Sequence, residues 1–185
     1  MDFKEHFVTA WNLTIQNIIS LVLMTLVMFA LSFITLGILA PVTMAGYMHS
    51  ILLMIREGRE PRIQDLFSHM RLFLPLFLFG LVIVVLIMIG FSLLVLPGIL
   101  VCIAVAFCLL YVLPLMTDRG MGVVEAAKES FRMSTSNVLD QVVIVIIYCG
   151  LSVLGGSLFI VWLFTQPLAT AFLLSVYQEK TGVSP

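Results

Sequence analysis

Residues 56–95 read REGREPRIQDLFSHMRLFLPLFLFGLVIVVLIMIGFSLLV. The first sixteen hold four of the chain's nine Arg and Lys residues, while the run from 73 to 95 holds no charge at all. A run of that kind is what a helix needs to cross a hydrocarbon core about 30 Å thick. The rest of the chain repeats the contrast. Of 185 residues, 62% are hydrophobic and 10% charged, with a mean hydropathy of +1.19. Soluble domains carry about a quarter charged residues. The reading is therefore an all-α integral membrane bundle formed by one membrane domain, 1–185.

Apolar runs fall at about 18–36, 39–55, 73–95, 98–117, 138–154 and 157–177. Helices are the expected spanning form, because lipid offers no hydrogen-bond partner to open backbone. Short breaks containing Gly or Pro, TLGIL, LPG and LGGS, separate the runs pairwise. Pro167 is a competing break, but it would leave a sixth run too short to cross. The reading has six spans, with both termini on one side. All nine basic residues then share that side, and the three opposite turns carry none. The positive-inside rule makes that side cytoplasmic. The charges gather at 56–71 because it is a cytoplasmic loop of an inner-membrane protein. The N-terminus, MDFKEHFVTAWNLTIQN, lacks the basic region and short apolar core of a cleavable signal.

The cytoplasmic segments have patterns of their own. Ile63, Leu66, Phe67, Met70, Phe73 and Leu74 recur at helical spacing, with Pro61 suited to a first helical position and Arg62, Asp65, His69 and Arg71 elsewhere around the helix. Phe3, Phe7, Ala10, Trp11 and Thr14 form a second stripe, and Val124, Ala127, Phe131 and Val138 a third. Each predicts an amphipathic entry helix. It either lies along the headgroup boundary before turning into the membrane, or extends a span and packs on the bundle.

These segments also look like copies. AWNLTIQNI at 10–18 parallels SFRMSTSNV at 130–138, and Phe67 and Phe73 take the corresponding places in the middle segment. Each unit ends on charge plus Gly: REG, DRG and EKTG. The pattern predicts three helix-hairpin repeats, at 1–58, 61–120 and 121–182. Trp11, Phe67 and Phe131 should occupy equivalent places at the membrane boundary. Asn17 and Asn137 should cap the spans that follow them.

Chemistry is sparse. No Asp, Glu, Lys or Arg falls at mid-membrane, which counts against an ion-coupled pump. Cys102, Cys108 and Cys149 lie in apolar runs and read as packing residues, not a disulfide or zinc set. No phosphate loop, HExxH or nucleophile elbow is present, and no cofactor is expected. His49, inside the second run, reads as a headgroup or partner contact or as an interhelical hydrogen bond. His69 reads as a headgroup or solvent contact. The candidate headgroup or partner contacts are His49, Trp11, Phe67, His69 and Phe131. The loops sum to +1 over 56–71 and −1 over 118–140, too balanced for a polybasic lipid-binding patch. Nucleic acid is not an expected partner. Membrane lipid is, together with a protein partner or a second copy of the chain.

The stretch LPGILVCIAVAFCLLYVLPLMTDRGMGVVEAAKESFRMSTSN at 96–137 joins a Pro-Gly turn, an apolar-Pro pair, an acidic-Gly loop and a closing Asn. With GYMHSILLMIREGREPRIQDLF at 46–67, it resembles uncharacterised bacterial six-span inner-membrane proteins. It is similar in turn to the membrane domain attached to some glycerophosphodiester phosphodiesterases. The resemblance covers about two thirds of the chain and implies an integral inner-membrane protein concerned with the envelope. It carries over no catalytic residue, because the catalytic barrel of those enzymes has no counterpart here. The expected function is a non-enzymatic envelope component or complex subunit. The alternative is a transporter for a lipid-like or apolar small solute.

Overall fold

Apolar runs broken by Gly and Pro fold as helices separated at those breaks. A computed structural model describes residues 3–156 and 159–182. All regular structure among them is helical. The helices are α1 (Phe3–Gln16), α2 (Ile18–Ile34), α3 (Ala40–Glu57), α4 (Phe73–Leu93), α5 (Val95–Cys108), α6 (Val112–Asp118), α7 (Val123–Ser136), α8 (Val138–Gly156) and α9 (Phe159–Thr181). Gly37, at φ +82°, turns α2 into α3, and Pro41 sits in the first turn of α3. Gly58, at φ +64°, closes α3, a conformation that costs glycine little. The predicted break LGGS runs up to 157, and 157–158 lie outside the described residues.

Two entry helices are present, and both bend sharply into the helix that follows. α1 meets α2 at 87° and α7 meets α8 at 109°. The predicted capping role of Asn17 is corrected. Its amide donates backward to the Leu13 carbonyl (3.1 Å) and makes no cap bond to α2. Asn137 does reach forward: its Oδ1 accepts the Asp140 N–H at a long 3.5 Å, and its Nδ2 donates to Asp140 Oδ2 at 2.6 Å.

The middle entry segment also differs from expectation. Instead of one amphipathic α-helix it forms two short 3₁₀ turns, Ile63–Phe67 and Met70–Leu72, before α4. In 3₁₀ geometry residues three apart eclipse one another. Leu66 and His69 accordingly both turn inward, at 0% and 6% exposure, while Phe67 and Met70 both stay exposed. From Ile63 to Ser92 the chain continues without a sharp bend.

The run at 98–117 is broken at 109–111, between α5 and α6. The Tyr111 N–H turns to Ser130 and the Val112 N–H to Leu109, which leaves the Phe107 and Cys108 carbonyls without helical donors. Pro114 sits in the first turn of α6, where proline is tolerated. Pro167, by contrast, lies inside a continuous α9.

The core is built around α9 and α3. From Gln166 to Gln178 every α9 residue except Ser175 is buried, and α1, α2, α3 and α8 all pack on it. Most of α3 from Val42 to Met54 is buried as well. These central helices are comparatively polar, with Thr43, Tyr47, Ser50, Gln166, Thr170 and Gln178 inside. The α4–α5 hairpin is the reverse: its α4 arm is apolar on every face, yet only 6% of its most apolar stretch is buried. Among the described residues, Ile63–Ser92 and Val95–Asp118 are long and apolar enough to cross a membrane. The bent pairs α1–α2 and α7–α8 bring the number to four if each counts as one span. Of the six expected spans, two to four thus have a helix of sufficient length and apolarity among the described residues. α3 and α9 both carry polar groups that face the interior of the bundle.

Candidate functional site: a polar cluster at one end of the bundle

Charged groups inside an apolar chain must be paired, and α3 provides the frame for pairing. Gly46 has no side chain, so the 3₁₀ segment lies directly against α3. A Cβ at position 46 would come within 2.6 Å of the Leu66 carbonyl oxygen, and closer still to that of Asp65. This approach delivers Asp65 to Ser50, whose hydroxyl donates to Oδ2 at 2.6 Å. Arg59 donates to the same oxygen at 2.5 Å, and the Arg62 backbone N–H at 3.3 Å. Asp118, at the end of α6, takes two bonds from Arg56, at 2.5 and 2.9 Å, and one from the Tyr177 hydroxyl at 3.0 Å. Two carboxylates thus join α3, the 3₁₀ segment, α6 and α9.

Between them stand His49 and His69, ring centroids 4.5 Å apart and edge to face. Ser68 Oγ lies 2.8 Å from His69 Nδ1 and donates its proton to the Asp65 carbonyl at 2.7 Å. His49 Nδ1 and the Nε atoms of Arg56 and Arg59 are buried without a protein hydrogen-bond partner among the described residues. Ser50 commits its proton to Asp65 and Ser68 commits its own to backbone. Neither serine is thereby arranged as a nucleophile activated by an imidazole. Among the described residues no group of three His, Cys, Asp or Glu is disposed to hold a metal ion. The arrangement links four elements by charge-assisted bonds, the strong class of hydrogen bond.

A second polar group mends the α5–α6 break. Open backbone at membrane depth is tolerated only where protein satisfies it. Here Ser134 and Gln141 donate to the Phe107 carbonyl (2.8 and 3.2 Å), and Ser130 to that of Cys108 (2.6 Å). Ser130 also accepts the Tyr111 N–H at 3.2 Å. Gln141 Oε1 accepts from the Tyr111 hydroxyl and from Lys180 Nζ, both at 2.9 Å. The ammonium sits 5.0 Å from the centre of the Tyr111 ring. Burial holds Lys180 below the ordinary lysine range, and Asp140 pulls the other way. Elsewhere, His6 of α1 meets Ser175 (2.7 Å) and Glu179 of α9.

The five residues singled out by sequence divide into two groups. His49 and His69 come together in the cluster, and the burial of His69 removes it from the solvent-facing place first given to it. Trp11, Phe67 and Phe131 stay apart on the surface, at 49%, 41% and 54% exposure. The sequence reading did not single out Asp65, Asp118 or Lys180 as site residues. Gly46, a residue without a side chain in the middle of α3, is the sequence signal that could have pointed to Asp65.

Two cavities border these elements. One of about 430 Å³ lies between α2, α3, α6 and α9, beside Phe29, Pro41, Trp162 and Gln166. One of about 550 Å³ lies between α7 and the α4–α5 hairpin, with Phe131 on its wall. No protein-family model, curated protein or solved structure matches the chain.

Proposed function

We propose that the chain is a non-enzymatic, six-span protein of the cytoplasmic membrane, with both termini cytoplasmic, serving as an envelope component or complex subunit. The observation that carries this reading is the inverted distribution of polarity. The most apolar helix, α4, is the least buried, and the more polar α3 and α9 are enclosed. Water would oppose that arrangement at about 25 cal/mol per Å² of exposed apolar surface, whereas lipid accepts it. In this reading α3 and α9 cross as the second and sixth spans, shielded by their neighbours. The polar cluster acts as the tie at the cytoplasmic end.

Three repeated units belong to the same proposal. Gly58, Gly120 and Gly182 are spaced 62 residues apart, 58 to 120 and 120 to 182, and have φ of +64°, +63° and +69°. Each follows a charged residue two places earlier, Arg56, Asp118 or Lys180. Trp11, Phe67 and Phe131 share similar exposure at the foot of their units.

The carrier reading remains as the second, favoured by the 430 Å³ cavity. Against it stands the packing one turn further on, where Tyr47, Ile51, Leu115, Thr170 and Leu173 are all fully buried. The deciding experiment uses a variant lacking native cysteines, with single cysteines placed at 37, 59, 96 or 120. The proposal expects labelling from outside at 37 and 96, and from inside at 59 and 120. The reverse pattern, or 37 and 96 on opposite sides, overturns it. Retention of an envelope protein on purification supports the subunit role, and uptake of an apolar solute into proteoliposomes supports the carrier.

A further inference from the structure

The 550 Å³ groove between α7 and the α4–α5 hairpin lies where lipid, not protein, would meet it. α7 stands at 109° to α8. If α8 crosses the membrane, α7 must run close to the membrane plane. The α7 side of the groove presents Val124, Ala127, Lys128 and Phe131, spaced i, i+3, i+4 and i+7 and therefore on one helical face. Phe79 and Leu109 form the opposite wall. Val124 and Phe131 remain 69% and 54% exposed, so this apolar face is uncovered in the isolated chain. Lys128 is the cation in the lining, and it makes no ion pair among the described residues. Its neighbour Arg132 is different, being paired with Glu129 at 2.7 Å. A partner helix is 10–12 Å across, so 550 Å³ would hold about one turn of it. An extended hydrocarbon chain fits that volume better.

We infer that this groove binds an anionic glycerophospholipid of the cytoplasmic leaflet, with an acyl chain along Phe79 and Leu109 and the phosphate at Lys128. The lysine stem covers apolar surface while its ammonium reaches the headgroup level. Selection here comes from one cation beside an apolar slot and not from loop net charge, which is near zero. The expected preference is therefore modest, about fivefold for anionic over zwitterionic lipid.

The inference rests on the membrane reading, yet fails separately from it, since cysteine labelling reports topology whether or not lipid is held. The test is native mass spectrometry of the detergent-purified chain with phosphatidylglycerol or phosphatidylcholine of identical acyl chains. Wild type should retain phosphatidylglycerol about fivefold better. Lys128→Gln should abolish that preference but keep binding of both lipids, and Ala127→Trp, which fills the slot, should reduce both. Excess inorganic phosphate should leave the lipid adducts in place. Equal retention of the two lipids by wild type, or an undiminished preference in Lys128→Gln, overturns the inference. Displacement by phosphate reassigns the site to the free anion and overturns it too. If Ala127→Trp fails to fold, the Lys128→Gln comparison still decides.

Discussion

Replacing Gly46 by alanine adds one methyl group at the closest backbone approach in the cluster. That methyl would meet the Leu66 carbonyl oxygen at 2.6 Å, where ordinary contact begins at 3.4 Å. The obstacle is backbone, so no side chain can rotate away. The 3₁₀ segment must retreat by about 0.8 Å, and slightly more at Asp65. The Ser50–Asp65 bond, now 2.6 Å, would then open beyond hydrogen-bonding range. Leu66 would also leave a fully buried site. Overpacking costs about 1–3 kcal/mol, and a lost bond to a charged group about 1.5–3. The two losses share one displacement, so the expected total is about 2–4 kcal/mol. For a chain of this size that lowers the melting temperature by about 5–15 °C. The control is Gly150→Ala in α8, where an added Cβ meets nothing within 4 Å. It should be neutral or slightly stabilising, because alanine favours helix more than glycine does. Thermal unfolding of both variants in the same detergent makes the comparison. Equal melting temperatures would refute the claim that the 3₁₀ segment is docked on α3.

Asp118→Asn keeps the shape but leaves the Arg56 guanidinium without a countercharge. It should cost about 3 kcal/mol in detergent unfolding, and Arg56→Met in the same chain should recover part of the loss. Ser130→Ala removes the donor to Cys108 and the acceptor for Tyr111, and should cost about 1–3 kcal/mol. Amide exchange in that variant should rise at 109–111 before it rises elsewhere; a uniform rise would count against a local repair. Phe67→Asp should leave melting nearly unchanged in detergent, since the ring is exposed, but should weaken association with lipid bilayers. A large loss of stability in detergent would mean that Phe67 packs on the bundle.

Much of this architecture can be read from residue order. Apolar runs locate the long helices, and the charge-plus-glycine endings coincide with Gly58, Gly120 and Gly182 at positive φ. The 62–72 segment shows where such reading stops. Its hydrophobic stripe fits a period of 3.6, but nothing in the stripe says that the chain will tighten to a period of three. His69 ends up inside, where the 3.6 period had placed it off the apolar stripe. The cluster depends on pairs distant in sequence, Arg56 with Asp118 and Asp118 with Tyr177. A charge near a span end gives no indication of its partner. Asn17 shows the limit of motif logic, since a residue well suited to starting α2 closes α1 instead.

The inverted polarity bears on how such a chain is made. The α4–α5 hairpin is apolar enough to leave a translocon for lipid unaided. α3 and α9 bury polar groups, and in the membrane reading these need neighbours to cover them. α9 emerges after every other described helix, yet α1, α2, α3 and α8 all pack on it. Until it arrives, His6 lacks Ser175 and Glu179, and Asp118 lacks Tyr177. In the membrane reading, biogenesis passes through a stage in which the early helices wait with polar faces uncovered. A chain stalled before α9 would expose them to quality-control proteases, so loss of the last helix should appear in cells as rapid turnover of the whole polypeptide.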